Sequence, residues 1–309
     1  MGKRSSGSST PKDLFPQSVK IMFKILHSQR LVPNIHLLTI KAAEVARALD
    51  PGNFVILRPN EEGERIPLTP SNWNIEEGTI TIVFMMVGST THQLASLHAG
   101  DDIPTVVGPL GNPIDLPEGK NVLLVGGCYG IGSLYPIAKT LREKGNRVIV
   151  VLEARSKNLF YWLDQWESIA DKLILISRDG TKGLRGHVYD NLPGIINSLP
   201  EIPDLVIANG CNYQMKRTSD ATQTANIKTL VSLNTLMIDG TGMCGVCRVS
   251  IAGEMKFACV DGPYFDGHQV NWDELAKRRR SYLPEETIPF QTSRAEVPIH
   301  SINHSRLRE

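Results

Sequence analysis

Residues 121–155 constrain the fold of this chain more than any other stretch. NVLLVGG (121–127) is a continuous apolar run of strand length, SLYPIAKTLREKG (133–145) carries helical spacing and closes on Gly145, and RVIVVLEAR (147–155) is a second apolar strand. Two strands without polar alternation, joined by a helix, form a βαβ unit of a parallel sheet buried on both faces. DKLILISRD and PDLVIANG add strands at intervals that suit a doubly wound α/β domain, predicted over 117–225. The loop GGCYGIG (126–132) falls between the first strand and the first helix, where backbone amides and the helix dipole favour a pyrophosphate. It is not a G-x-G-x-x-G fingerprint, and tight strand-to-helix turns use glycine for structural reasons in any α/β protein. The loop alone therefore leaves both a nucleotide site and a plain turn open.

Ahead of this unit the pattern differs. From Ser18 to Leu116, the short alternating runs VKIMFKILHS, IHLLTIKA, NFVILRPN and TITIVFMMV are separated by Pro, Gly and Asn, which predicts a small antiparallel β-barrel. The first 17 residues read as a polar flexible arm and 283–309 as a tail.

Behind it, the stretch 226–282 holds three of the five cysteines. Cys244 and Cys247 stand as C-x2-C and Cys259 follows after eleven residues, so two thiolates share one loop and the third returns from a neighbouring strand. Plant-type [2Fe–2S] proteins use C-x4-C-x2-C with a distant fourth cysteine. Stepping back over four residues from Cys244 reaches Asp239, whose carboxylate keeps the charge and binds iron through oxygen. Asp239, Cys244, Cys247 and Cys259 thus form a four-ligand set, and Gly240, Gly242 and Gly245 allow the positive φ values of a loop wrapped round a cluster. Zinc also accepts C-x2-C, but structural zinc sites mostly use four cysteines, three with one histidine, or two of each, and His268 is the only nearby histidine. Unliganded cysteines packed as small hydrophobes are the remaining alternative. An odd count without a secretory signal argues against disulfides.

A length of 309 residues accommodates two domains or three small ones, and a net charge of +1 gives no sign of a nucleic-acid partner. No apolar run is long enough to span a membrane and no h-region follows Lys3 and Arg4, so a reduced cytoplasm is expected.

Barrel, nucleotide domain and cluster segment together resemble the electron-transfer small subunits of the ferredoxin-NADP+ reductase superfamily. The stretch VSLNTLMIDGTGMCGVCRVSIAGEMKFACVDGPYFDGH carries the resemblance most specifically. Its Asp at the first ligand position is similar to the small subunits of NADH-dependent reduced ferredoxin:NADP+ oxidoreductase and sulfide dehydrogenase. The dihydroorotate dehydrogenase electron-transfer subunit, more loosely similar, has Cys there. The resemblance implies FAD, a [2Fe–2S] cluster and NAD or NADP as cofactors. It implies hydride transfer between nicotinamide and flavin, single-electron transfer to the cluster, and a larger flavin and iron–sulfur partner subunit, with ferredoxin as a further partner of an electron-bifurcating complex. Positioning carries such a reaction, so no residue is assigned as a catalytic acid or base.

Carried onto this chain, ERIPLT places Arg65, Pro67, Leu68 and Thr69 at the flavin, with Arg65 on the FAD pyrophosphate and Thr69 near the N5 edge. VGSTTHQL places Gly88, Ser89, Thr90 and Thr91 at the other phosphate-facing turn. Gly127, Cys128 and Gly130 fall in the nicotinamide nucleotide loop, and Cys211 of NGCNYQM falls near the nicotinamide. Relatives have GGGxGIAP where this chain has Cys128, Gly132 and Ser133, so a decayed nucleotide pocket in a structural, electron-wiring subunit is the alternative reading. Glu153 stands where an acid would bind a ribose hydroxyl and favour NAD. Arg155, Ser156 and Lys157 follow it and suit a 2′-phosphate or a solvated loop. Tyr264, Phe265 and Trp272 are expected to dock on the partner subunit, and KRRR (277–280) to be a solvated helix end.

Overall fold

A computed structural model describes residues 21–281. The arm 1–17, residues 18–20 of the predicted barrel, Tyr282 and the tail 283–309 lie outside the described residues.

Eight strands build the barrel: β1 (Phe23–Val32), β2 (Ile35–Lys41), β3 (Phe54–Arg58), β4 (Ile66–Leu68), β5 (Pro70–Asn74), β6 (Thr79–Met85), β7 (Asp102–Ile103) and β8 (Thr105–Leu110). They form two antiparallel sheets, β5-β6-β2-β1-β7 and β4-β3-β8. Alternation turns Leu38, Ile40, Ile80, Ile82, Val55 and Leu57 into a shared core, which α1 (Ala43–Ala48) and α2 (Ser89–Ala95) close through Ala46 and Leu94. The sequence reading located β1, β2, β3 and β6. It missed β4, β5, β7 and β8, whose runs are short and interrupted by Pro67, Pro70 and Pro109.

The second domain runs β9 (Asn121–Gly127), α3 (Gly130–Ser133), α4 (Tyr135–Glu143), β10 (Arg147–Ala154), α5 (Leu163–Ile169), β11 (Lys172–Ser177), β12 (Leu184–Arg185), α6 (Val188–Asn197), β13 (Leu205–Asn209), α7 (Asn212–Gln223) and β14 (Thr229–Ser232). Its sheet order is β12-β11-β10-β9-β13-β14-β17, with parallel pairing from β12 through β14. The chain leaves β9 toward β10 and later returns to β9's other side as β13. That reversal makes the crevice at the carboxyl ends of β9 and β13 the topological switch point.

The third segment contributes the hairpin β15 (Arg248–Ile251) and β16 (Glu254–Phe257), then β17 (Tyr264–Asp266) and α8 (Trp272–Arg279). β17 pairs antiparallel with β14, so the large sheet takes in residues 229–232 and 264–266, beyond the 225 boundary read from the sequence. One core runs through all three regions, since Phe54 and Ile56 of the barrel pack in the same cluster as Leu123, Val125, Cys247, Cys259 and Phe265. Among the described residues no helix is long and apolar enough to cross a membrane.

Candidate functional site

Residues predicted at the flavin converge on one side of the barrel. β4 pairs with β3 so that Ile66, Pro67 and Leu68 lie opposite Leu57, Ile56 and Val55. Arg65, just before β4, is exposed, and Thr69 just after it is half-buried. Gly88 stands at the N-terminal cap of α2, whose first-turn amides have no intrahelical acceptor. Thr91 holds that turn: its hydroxyl accepts from the Gly88 amide at 2.9 Å and donates to the Gly88 carbonyl at 2.9 Å. Thr90 is buried, and its hydroxyl donates to Glu64 at 3.3 Å, tying the turn to the residue before Arg65. Ser89 is exposed beside them. A guanidinium and a helix N-terminus so joined suit a pyrophosphate.

At the switch point, Gly126 pairs with Asn209, and two residues further along each chain stand Cys128 and Cys211. Both thiols are free and exposed. Cys128 has φ +54, a left-handed conformation that glycine adopts without strain. Crowding of its thiol by surrounding protein, then the neighbouring Cys211, pushes its pKa up. The glycines of the loop answer to packing. A Cβ at Gly130 would collide with the Asn209 carbonyl, and one at Gly127 would collide with the Gln214 side chain. At Gly132 a Cβ would come within 3.0 Å of Ser71 and Val83 of the barrel. Gly132 therefore marks a close contact between the nucleotide domain and the barrel.

Three residues at this crevice escaped the sequence reading because their roles depend on contacts distant in the chain. The Tyr161 hydroxyl accepts from the Gly132 amide at 2.9 Å and donates to the Cys128 carbonyl at 2.9 Å. Tyr129 donates to the Gly210 carbonyl at 2.6 Å and accepts from Asn234 at 3.1 Å, linking the loop to the stretch that follows β14. Gln214, buried in the first turn of α7, packs against both Gly127 and Gly210.

Glu153 corrects the sequence reading. Its side chain is 3% exposed, and its carboxylate accepts from Arg178 at 2.7 Å, the Val188 amide at 2.7 Å and His187 at 3.3 Å. It fastens β10 to the end of β11 and the start of α6 and offers no free oxygen to a ribose. Arg155 and Lys157 stay exposed beyond the strand end.

The third segment brings the predicted ligands into one loop and one hairpin. Cys247 precedes β15 and Cys259 follows β16, so pairing across the hairpin sets the two buried sulfurs 3.1 Å apart. Burial and the adjacent Cys247 thiol push the Cys259 pKa up to about 12. Asp239 curls back on its own loop: its carboxylate accepts from the Thr241 amide at 2.9 Å and the Cys244 amide at 2.8 Å, which holds its pKa low and the group ionised. Gly240, Gly242 and Gly245 have φ of +75, +84 and +66. Three thiols and one carboxylate fit an iron–sulfur cluster by donor chemistry. Among the described residues no three ligating side chains already meet at one point.

The cluster loop rests on the barrel. A Cβ at Gly240 would come within 2.8 Å of Leu110 and 3.2 Å of Ile56. Asn112 bonds the Gly262 carbonyl at 2.6 Å and the Val260 carbonyl at 2.8 Å. Tyr264, Phe265 and Trp272 prove internal. Phe265 is 8% exposed, Tyr264 pairs within the large sheet, and the Trp272 indole donates to the Gly267 carbonyl at 3.0 Å. Exposed apolar side chains around the cluster loop are instead Ile238, Met243 and Val260.

Comparison with known proteins first gives the class. A ferredoxin NADP+ reductase from Neisseria gonorrhoeae superposes with a TM-score of 0.54 over 66% of this chain and 90% of its own, at 15% identity, which establishes the shared barrel-plus-nucleotide-domain fold. The profile of the iron-sulfur cluster binding domain of dihydroorotate dehydrogenase B matches residues 234–271. A dihydroorotate dehydrogenase B (NAD(+)) electron transfer subunit homolog from Thermotoga maritima is 42% identical over 87% of this chain and 94% of its own. The electron transfer subunit itself from Listeria innocua is 29% identical over 80% of this chain and 97% of its own. A chain of the NADH-dependent reduced ferredoxin-NADP oxidoreductase, solved in a study of flavin-based electron bifurcation, superposes with a TM-score of 0.83. It is 40% identical over 89% of this chain and 99% of its own. The chain belongs to the family of dihydroorotate dehydrogenase B electron transfer subunits and their homologues.

Proposed function

We propose that the chain is the electron-transfer subunit of a heteromeric oxidoreductase and connects a nicotinamide dinucleotide, FAD and a [2Fe–2S] cluster to a larger flavin and iron–sulfur subunit. One observation carries the reading: Ile56 pairs with Pro67 of the flavin strand and also forms the wall against Gly240 of the cluster loop. Two of the proposed redox sites thus share a single layer of packed side chains. When bound, the nucleotide and FAD supply hydride chemistry and the cluster supplies one-electron transfer.

Arg65 and the first turn of α2 bind the FAD pyrophosphate, with Thr90 and Glu64 holding the two segments together. Gly127, Cys128 and Gly130 present the nucleotide loop at the switch point, and Tyr129 and Tyr161 fix its shape. Asp239, Cys244, Cys247 and Cys259 hold the cluster. NAD(H) is the proposed nucleotide because the relatives' names carry NAD(+). Arg155 beside the strand end suits a 2′-phosphate, and so the test runs both nucleotides. The partner covers the apolar rim of Ile238, Met243 and Val260, and the likeness to the ferredoxin-NADP oxidoreductase chain supports an electron-bifurcating assembly.

Anaerobically purified chain should carry FAD with equal amounts of iron and sulfide, and NADH or NADPH should bleach the flavin. A chain with cluster and FAD that neither nucleotide reduces, alone or with its partner, would instead be a wiring subunit with a decayed pocket.

A further inference from the structure

A recess in the third segment, a cavity of about 320 Å³, is lined by Thr235, Cys244, Arg248, Arg278, Arg279 and Ser281 among others. Among the described residues three guanidiniums line it and no carboxylate does. Arg278 donates to the Val246 carbonyl at 3.0 Å and Arg248 approaches the Gly245 carbonyl at 3.4 Å, so both are braced by the cluster loop. Among the described residues none of the three has an ion-pair partner. Arg278 and Arg279 belong to the last turn of α8, where the helix dipole favours cations, yet both are half-buried against the recess. That corrects the expectation of a wholly solvated helix end.

A second, independent feature points the same way. Thr235 is 7% exposed, and its hydroxyl, buried in the wall of this recess, has no hydrogen-bond partner among the described residues. A buried hydroxyl without a partner costs about 1–3 kcal/mol, and such groups normally have a water, ion or ligand to bind. Three guanidiniums without ion-pair partners among the described residues, around a hydroxyl without a hydrogen-bond partner, have the chemistry of an oxyanion receptor, since Arg offers forked donors to carboxylate and phosphate oxygens.

We propose that this recess is an oxyanion-binding site, taking a phosphate or a carboxylate between Thr235, Arg248, Arg278 and Arg279. Cys244 forms part of the same wall, so an anion there stands next to a ligand of the proposed cluster and lowers its potential. Anion binding itself does not depend on the cluster reading; the effect on potential does.

The test is titration of the holo chain with inorganic phosphate at constant ionic strength, followed by calorimetry and by visible circular dichroism of the cluster. Saturable binding with one site per chain is expected. Arg278→Gln with Arg279→Gln should weaken it at least tenfold. Thr235→Val, which replaces the unpaired hydroxyl by a methyl of similar shape, should weaken it several-fold while raising the melting temperature in phosphate-free buffer. Lack of saturable binding by the native chain, or an affinity unchanged in both variants, overturns the proposal. Repeating the titration on the complex with the larger subunit separates the sources. Unchanged phosphate affinity assigns the site to a free anion, whereas exclusion of phosphate, with weaker assembly in its presence, assigns it to a partner's carboxylate. A holo chain that binds phosphate without any change in the dichroism keeps the site and removes its link to the cluster.

Discussion

Replacing Glu153 by Gln separates a structural carboxylate from a cofactor ligand at one position. The native carboxylate receives two bonds of 2.7 Å, from Arg178 and the Val188 amide, and one of 3.3 Å from His187. Gln keeps the shape but loses the charge, and its amide group turns a donor toward one of these donors. Hydrogen bonds to charged groups contribute roughly 1.5–3 kcal/mol each, and removing one partner of a buried pair costs about 3–5 kcal/mol. Arg178 keeps 39% of its side chain in solvent and can be hydrated once released, which discounts its share. About 2–3 kcal/mol of lost stability remains, or roughly 4–12 °C in melting temperature for a unit of this size. Dissociation constants for NADH and NADPH, measured by flavin or nucleotide fluorescence below the transition, should change less than about twofold, since the carboxylate has no free oxygen for the ribose. A melting temperature within roughly 1 °C of native, together with a tenfold loss of NADH affinity, would refute this argument and restore Glu153 to the nucleotide.

Arg65→Ala removes a charge-assisted bond worth about 1.5–3 kcal/mol, so FAD should bind roughly 10–150-fold more weakly and dissociate on gel filtration while the cluster spectrum stays. Asp239→Cys should retain the cluster with a changed potential and Asp239→Ala should lose it, as read by visible absorption and iron analysis; unchanged spectrum and potential in both would remove Asp239 from the ligand set. His36 is buried and bonded to Ser28 at 2.9 Å, and burial, then Arg30 and His98, lowers its pKa below the ordinary 6.5. The unfolded chain therefore takes up the proton first, so this group's contribution to stability is complete above pH 6.5 and falls as pH drops below it. Melting temperatures of His36→Gln should show a shallower decline over that acid range, and an identical slope would remove His36 as the cause.

Legibility in the sequence followed the range of the interactions. β9, α4, β10, β11 and β13 could be read directly because buried parallel strands are apolar throughout and the helix between them keeps a period of its own. Strands of two or three residues such as β7, β12 and β17 have no room for a period, and β17 exists only because β14 offers it an edge. The cysteine spacing carried the cluster segment, since two cysteines with two residues between them share a loop without any tertiary information. Glu153 failed for the opposite reason: a strand-end acid looks the same in sequence whether it faces a ribose or, as here, Arg178 and the start of α6. Tyr264 and Phe265 looked like docking aromatics until their strand joined the sheet. Arg278 and Arg279 read as solvent charges because the cavity they line is formed together with Thr235, more than forty residues earlier in the sequence.

The central claim is that this chain carries electrons from nucleotide to cluster by way of the flavin. Rapid mixing of the anaerobic holo chain with NADH and with NADPH, followed by flavin absorbance and by electron paramagnetic resonance of samples frozen at successive times, tests it most directly. The account predicts that one of the two nucleotides bleaches the flavin first and that the reduced-cluster signal grows afterwards, with Arg65→Ala, stripped of FAD, giving neither change. A cluster reduced at the native rate in that FAD-free variant, or a flavin and cluster that respond to dithionite but to neither nucleotide even with the larger subunit bound, would contradict it.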